Sequence, residues 1–388
     1  MCRYVGYAVG RLRMISSRAC YILTSILAMS LVGPGVVAAQ PPPEGHTDQA
    51  PATAAVEYPL FHLSGFADVN FAAQAASEGP RGFSEGQFVL HLASALSARV
   101  SFFGEVSFSP RADAGTGTPA ATGYNAEVER AIIRFDRGDH FKVSFGRYHT
   151  PVNWWNTAYH HGQWLQTTIS RPEMIQFGGR FLPVHFIGAL AEGSVPASGW
   201  NIGYQAGIGN GRGNVISRGG DAGDNNARPA YLMNVFTKPD RAYGLQVGGS
   251  LYFDRISLAG KPEVDERIVA AHAVWQHEDP ELIAEIADVR HEQVGGGVTA
   301  SNLAYYVQAA YRLPEPARLW KPYYRFEHIT VEPTDPIFTT VPQLDGSTIG
   351  VRYDVTTYAA VKSEVRVRRR ASDQPRANGW FLQIAFTF

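Results

Sequence analysis

From Tyr58 onward the period of the chain is two. Phe61, Leu63, Gly65, Ala67, Val69 and Phe71 form an apolar or small face, with His62, Ser64, Asp68 and Asn70 on the other, which is the pattern of a strand with one wet side. The alternation returns in Val100, Phe102, Val106 and Phe108, in Trp200, Ile202, Tyr204, Ala206 and Ile208, in Tyr243, Leu245, Val247, Leu251 and Phe253, and in Leu303, Tyr305, Val307, Ala309, Tyr311 and Leu313. It ends in Trp380, Leu382, Ile384, Phe386 and Phe388, set against Gln383, Ala385 and Thr387. Strands are predicted over 58–73, 86–96, 99–109, 124–136, 139–148, 183–193, 199–209, 229–238, 241–254, 266–276, 281–291, 301–313, 317–331, 345–354, 356–370 and 378–388, sixteen in all. Most reach about 10 residues, the length a tilted strand needs to cross a hydrocarbon layer.

The connections alternate in length. Those after even-numbered strands are short, such as Ser97-Ala98, Arg137-Gly138 and Pro239-Asp240, whereas most of those after odd-numbered strands are longer and rich in Gly, Pro, Asn and Asp, the longest being 149–182. An even strand count with both ends on the short-turn side predicts an all-β fold: a transmembrane antiparallel β-barrel with short periplasmic turns, long external loops and one loop folded inward. A long apolar edge at 378–388 would invite aggregation, and closing the sheet removes it. Weak alternation in 183–193, and Glu285 and Asp288 on opposite faces of 281–291, predict a bulge or a shifted boundary in each.

Residues 1–39 read as a signal peptide: basic at Arg3, Arg11, Arg13 and Arg18, apolar over Ala19–Val32, with small residues at Val37-Ala38-Ala39. Both cysteines, Cys2 and Cys20, leave with it, which excludes disulfides and thiolate metal sites from the mature chain. The same cleavage removes those four arginines from a total of 34 Lys+Arg against 35 Asp+Glu, and an acidic exported chain is a poor nucleic-acid binder. Residues 40–57 read as a disordered periplasmic leader, and 58–388 as an outer-membrane barrel channel, with lipid and lipopolysaccharide around it and small hydrophilic solutes inside. No cofactor is indicated.

Two groups of residues carry the candidate chemistry. On 356–370, Lys362, Glu364, Arg366, Arg368 and Arg370 alternate with apolar or small residues, and neighbouring strands add Arg352, Lys321 and Arg325 to the same inward face. This row reads either as an anion ladder or as solvated lumen charge without selectivity. The long loop, with His149, Trp154, Trp155, Tyr159, His160, His161, Trp164 and Arg171, is too aromatic for disorder and is expected inside the barrel as a constriction. Its histidines are expected to hold no metal and no catalytic role, because His160 and His161 on an extended segment point apart and no carboxylate lies within the cluster.

Phe145-Gly146-Arg147-Tyr148-His149-Thr150-Pro151, preceded by Val128-Glu129-Arg130-Ala131, resembles the porin O/P-like (phosphate-selective porin) group over about 124–172, and the closing strand Trp380–Phe388 resembles the assembly signal of such barrels. The resemblance implies a sixteen-stranded channel, a homotrimer, and a third loop folded inward. It does not carry phosphate selectivity with it, because the long loop has no lysine and only Arg171 and Arg180. Two competing readings are a barrel hydrolase of lipid or lipopolysaccharide, for which no G-x-S-x-G motif is present, and a gated hydrophobic-solute transporter, for which about 18 residues before the first strand are too few to form a plug.

Overall fold

The computed structural model describes residues 57–388 apart from 119, 179, 214, 215, 217–219, 372 and 374. The predicted signal peptide, and all but the last residue of the predicted leader, lie outside the described residues. Sixteen antiparallel strands follow: β1 (Leu60–Gln74), β2 (Gly82–Ala95), β3 (Val100–Pro110), β4 (Tyr124–Gly138), β5 (Phe141–His149), β6 (His185–Val195), β7 (Ile202–Asn210), β8 (Ala230–Thr237), β9 (Leu245–Ile256), β10 (Val264–Gln276), β11 (Glu281–Gln293), β12 (Thr299–Ala310), β13 (Trp320–Thr330), β14 (Leu344–Thr356), β15 (Ala359–Arg369) and β16 (Ala377–Thr387). Each pairs with its neighbours in sequence and β16 pairs with β1, so the sheet is a closed barrel without an edge. None of the described helices is long and apolar enough to cross a membrane, and strands make the wall instead.

The wall sorts its side chains as the alternation predicts. Phe61, Leu63 and Val69 of β1, Val247, Leu251 and Phe253 of β9, and Ile384 and Phe386 of β16 are exposed on the outer face. An apolar surface of this extent belongs against hydrocarbon. Exposed aromatics gather at both rims, with Phe135, Phe141, Tyr243, Trp320 and Tyr358 near the short turns and Phe83, Tyr124, Tyr231 and Trp380 near the long loops, which matches the two girdles of a membrane barrel.

Several sequence expectations need correction. Of the two doubtful strands, β6 has the shifted boundary, at His185–Val195, but neither β6 nor β11 contains a bulge or register shift with its partners. Irregularities fall instead between Ala67 and Val69, between Glu105 and Val106 where β3 meets β4, between Asp136 and Gly138, and between Asp354 and Thr356. Trp200 lies in a turn, not on a strand. The contrast in connection length is weaker than expected late in the chain, where the long side shrinks to 294–298 and the short side grows to 311–319.

The inner face is not uniformly polar either. Ile256, Val264, Ile268, Ile283, Val289 and Leu344 are buried in one cluster with Phe181 of the 150–184 connection and with Ile337 and Phe338 of the 331–343 connection. Two loops therefore enter the barrel, and the second was not legible in the sequence because an apolar residue on the wet side of a strand has no partner within its own period. Phe181 stacks on Phe338 with ring centroids 5.1 Å apart, which joins the loops to each other.

Closure has one tight point. Gly65 and Phe388 exchange backbone hydrogen bonds of 2.9 and 3.1 Å, and the Phe388 ring stacks on Phe88 at 5.7 Å. A Cβ at position 65 would stand 2.4 Å from the Phe388 ring and 2.9 Å from the Val89 carbonyl oxygen, so the glycine is what lets the aromatic lie flat over β1. Gly65→Val and deletion of Phe388 are each expected to lower the yield of heat-modifiable folded barrel severely. Wild-type yield of Gly65→Val, measured by gel mobility with and without boiling, would mean that this contact does not matter for closure.

Candidate functional site

The connection 150–184 lies inside the barrel. It contains one short helix, α1 (Trp155–Tyr159), and a single helical turn at Glu173–Ile175, and most of its residues are buried. Trp154 and Trp155 are both buried, and Tyr159 packs edge-on against them with centroids at 5.1 and 5.9 Å. Such a segment brings many backbone N–H and C=O groups out of water, and each requires a partner.

The wall supplies those partners, and this changes the reading of the basic ladder. Lys362 donates to the carbonyl oxygens of Gln163 (2.5 Å), Gln166 (2.8 Å) and Thr168 (3.1 Å). Arg352 donates to those of Trp164 (2.7 Å) and Gln166 (3.1 Å). Arg325 reaches the Ser170 carbonyl at 2.8 Å, the Ser170 hydroxyl at 2.6 Å and the Arg171 carbonyl at 3.1 Å, while Glu327 braces its Nε at 2.9 Å. Carboxylates take the amides: Glu364 accepts from the backbone N–H of Ile169 (2.9 Å) and Ser170 (3.3 Å), and Glu285 from those of Trp154 (2.8 Å) and Trp155 (2.7 Å). Lys321 bonds Glu281 at 2.8 Å, which also accepts from Thr167 at 2.9 Å.

Thus Lys321, Arg325, Arg352, Lys362 and Glu364 point inward, as their alternation implied, but they are not a solvated row. Lys362, Glu364 and Arg325 have no exposed surface at all. They are the mount of the loop. The role of Glu285 was missed because it was noticed only as a disturbance of period.

Open space remains on the opposite side of the loop. A cavity of about 590 Å³ toward the short turns is lined by His62, Arg130, Arg134, Glu192 and Gln205 among others, and one of about 140 Å³ toward the long loops by Gln74, Glu78, Arg366, Arg368 and Arg370. Arg366 bonds Glu364 at 2.5 Å and lies over the Phe381 ring, Arg368 is 3.3 Å from Glu173, and Arg370 is 3.7 Å from Glu78. These three arginines, with Arg130 and Arg134, line open space, although Arg368 also reaches the loop through Glu173.

The loop histidines also depart from expectation. His160 caps α1 with helical dihedrals, so His160 and His161 are not on an extended segment, and their rings converge at 4.5 Å. His149, at the end of β5, comes within 4.0 Å of His160 by ring centroid, and His185, its cross-strand partner, is 4.9 Å from His160. Carboxylates from the wall complete the group. Glu129 Oε1 is 3.2 Å from His161 Nε2, Glu129 Oε2 is 2.9 Å from His185 Nε2, and Glu105 is 3.4 Å from His149 Nε2. Glu129 was overlooked because it is the unpaired residue where β3 and β4 slip register, between Val106↔Val128 and Glu105↔Arg130. The bulge turns both Glu129 and Arg130 inward.

Burial holds the His160 imidazole well below its usual range, with His149 and Arg171 adding to the effect. Burial likewise lowers Arg171, to about 9, which leaves it cationic at neutral pH, and its guanidinium lies 3.6 Å from the centre of the Phe177 ring. In the second inward loop, burial works upward on Asp335, but the hydrogen bond with His291 wins and its carboxyl stays below the usual range.

No family model matches the chain, and no protein of described function matches it in sequence. Solved structures do match in shape. An anion-selective porin from Comamonas acidovorans superposes with a TM-score of 0.61 at 13% identity, covering 85% of this chain and 100% of that one. The outer-membrane protein OmpT of Vibrio cholerae, in a trimer form, gives 0.54 at 14% identity over 86% of this chain and 100% of that one. Salmonella typhi OmpF, in complex with daunomycin, gives 0.56 at 12% identity over 84% and 97%. At these identities the likeness establishes a porin-like barrel.

The mount makes a stability prediction. Glu364→Ala would leave the Tyr323 and Ser170 hydroxyls, two loop amides and the Arg366 guanidinium without their buried acceptor, a cost on the order of 3–5 kcal/mol. The expected outcome is a folded barrel that loses heat resistance and conducts more current as the loop comes loose. An unaltered melting temperature together with unaltered conductance would show that the loop is held elsewhere.

Proposed function

We propose that the protein is an outer-membrane porin that passes small hydrophilic solutes by passive diffusion, with a moderate preference for anions. The observation that carries this reading is a closed sixteen-strand barrel, apolar outside, whose interior is narrowed by a loop but keeps charged cavities on both sides of it. The anion preference is assigned to Arg366, Arg368 and Arg370 near the long-loop mouth and to Arg130 and Arg134 below, where low-dielectric walls focus the field on passing ions. Glu78, Glu173 and Glu192 moderate it. Lys321, Arg325, Arg352 and Lys362 contribute less than their number suggests, since the loop covers them.

Outer-membrane lipid and lipopolysaccharide are the surroundings proposed for the apolar belt, and a homotrimer is the proposed assembly, in keeping with the trimer form of the Vibrio cholerae neighbour. Membership in the porin O/P-like group is proposed from the Phe145–Pro151 and Val128–Ala131 motifs, which lie on β4, on β5 and at the root of the inward loop. The protein is proposed not to be an enzyme. A lipid hydrolase would need its Ser–His pair at the lipid-facing rim, whereas His149, His160, His161 and His185 gather inside the barrel.

Single-channel recording in a planar bilayer, with reversal potentials in a salt gradient, tests this. Folded protein is expected to give steps whose reversal potential favours anions. Arg366→Gln, Arg368→Gln and Arg370→Gln combined should move that potential toward cations while leaving expression nearly unchanged. No conductance from the folded barrel would end the porin reading, and a triple variant with unaltered selectivity would end the assignment of these arginines.

A further inference from the structure

The histidine cluster is the strongest feature that the channel reading does not use. Glu129, His149, His160 and His161 each place one ligand atom within 4.8 Å of all the others, and all four residues are buried. Two of the four, His160 and His161, come from the loop, and two, Glu129 and His149, from the wall.

The hydrogen bonds around the cluster constrain where the protons sit. Asn156 donates its amide to the carbonyls of Thr150 (3.0 Å) and Val184 (2.9 Å), so its Oδ1 is an acceptor, and that oxygen is 2.7 Å from His160 Nδ1. His160 therefore carries its proton on Nδ1 and keeps a lone pair on Nε2. Arg171 Nη2 stands 3.0 Å from the same Nδ1, which has no lone pair left for it. His161 Nδ1 faces Gln87 Oε1 at 3.1 Å, which puts its proton there and its lone pair on Nε2. In that tautomer the lone pair is 3.2 Å from a carboxylate oxygen of Glu129, and a proton or a cation between them would hold the two together. His185 differs: Arg147 donates to its Nδ1 at 2.9 Å, so it is protonated on Nε2 and flanks the group without ligating.

The Nε2 atom of His160 is buried without a hydrogen-bond partner, and those of His149 and His161, equally buried, meet only carboxylate oxygens at 3.4 and 3.2 Å without a well-formed hydrogen bond, in a site where an unpaired polar atom costs free energy. For His160 and His161 the second ring nitrogen faces a side-chain amide oxygen, and the Glu129 carboxylate is held by its own donor, the Ser107 hydroxyl at 2.7 Å, which is the order expected around a metal.

We propose that Glu129, His149, His160 and His161 form a binding site for a divalent first-row metal ion, Zn²⁺ being the best fit, which clamps the inward loop to β4 and the end of β5. Three imidazoles and one carboxylate form a closed tetrahedral set, the kind used for structural rather than catalytic zinc. Bonds of about 2.0–2.2 Å require ligand atoms about 3.3–3.5 Å apart, so the loop draws in slightly when the ion binds. Arg171 opposes the added charge, and the two carboxylates Glu105 and Glu129 offset it, although Glu105 already serves Arg130 at 2.5 Å.

Chelator-treated folded barrel in detergent, titrated with Zn²⁺ and separately with Co²⁺, tests the site without reference to solute or conductance. Wild type is expected to take up one ion per chain, with Co²⁺ giving the intense visible bands of tetrahedral coordination, and to gain heat resistance as it does so. His160→Gln with His161→Gln should abolish uptake while gel mobility still reports a folded barrel. Should that pair fail to fold, Asn156→Ala, which removes only the acceptor that orients His160, should weaken affinity about 10–100-fold. Absence of uptake by wild type at micromolar Zn²⁺, weak octahedral Co²⁺ bands, or uptake undiminished in the folded variants would each overturn the proposal.

Discussion

A strand wall can close on itself, but a loop brought inside it pairs only part of its own backbone. This requirement organises the interior. The segment 163–173 runs along the inner faces of β13, β14 and β15, and its carbonyls and amides are answered in turn by Arg352, Lys362, Arg325, Glu364 and Glu327. An uncharged lining could not do this as well, since a charged donor or acceptor makes a stronger bond and Lys or Arg can serve several carbonyls at once. Opposite charges also sit beside each other, Arg325 by Glu327 and Arg366 by Glu364, which offsets the cost of burying these ions.

The same arrangement redistributes electrostatic influence over the lumen. Charges consumed in holding the loop are paired at close range and present little net field to a passing ion. The arginines beside open space are Arg366, Arg368 and Arg370 above and Arg130 and Arg134 below, each already near at least one carboxylate. A strongly selective anion filter would leave more cations free at the constriction, whereas the loop has two arginines, Arg180 and a buried Arg171 that lies over Phe177.

Much of this fold was legible because a membrane barrel writes its architecture into a period of two. Strand number, order and the inward direction of Lys362, Arg366 and Arg368 follow from which residues can face hydrocarbon. What alternation cannot state is what lies across the lumen. Lys362 and Gln166 are nearly two hundred positions apart by number, and nothing local to either reveals that they meet. Glu129 was hidden for a different reason: a bulge breaks the period at the residue that matters, so it read as an ordinary wall position inside a family-like motif. His160 and His161 were misplaced because α1, spanning only Trp155–Tyr159, is too short to leave a helical pattern.

The register of β15 shows how the two constraints reinforce each other. A slip of one residue against β14 or β16 would put Lys362, Glu364, Arg366 and Arg368 toward lipid, at about 2–4 kcal/mol for each Arg or Lys near the midplane. It would also withdraw Lys362 from three loop carbonyls and Glu364 from two loop amides, leaving those groups buried and unpaired. Lipid and loop therefore select the same pairing, Arg352↔Lys362 on one side and Lys362↔Gln383 on the other. Because Gln383 belongs to the strand that meets β1, the register chosen by the loop is passed directly to the seam where the barrel closes.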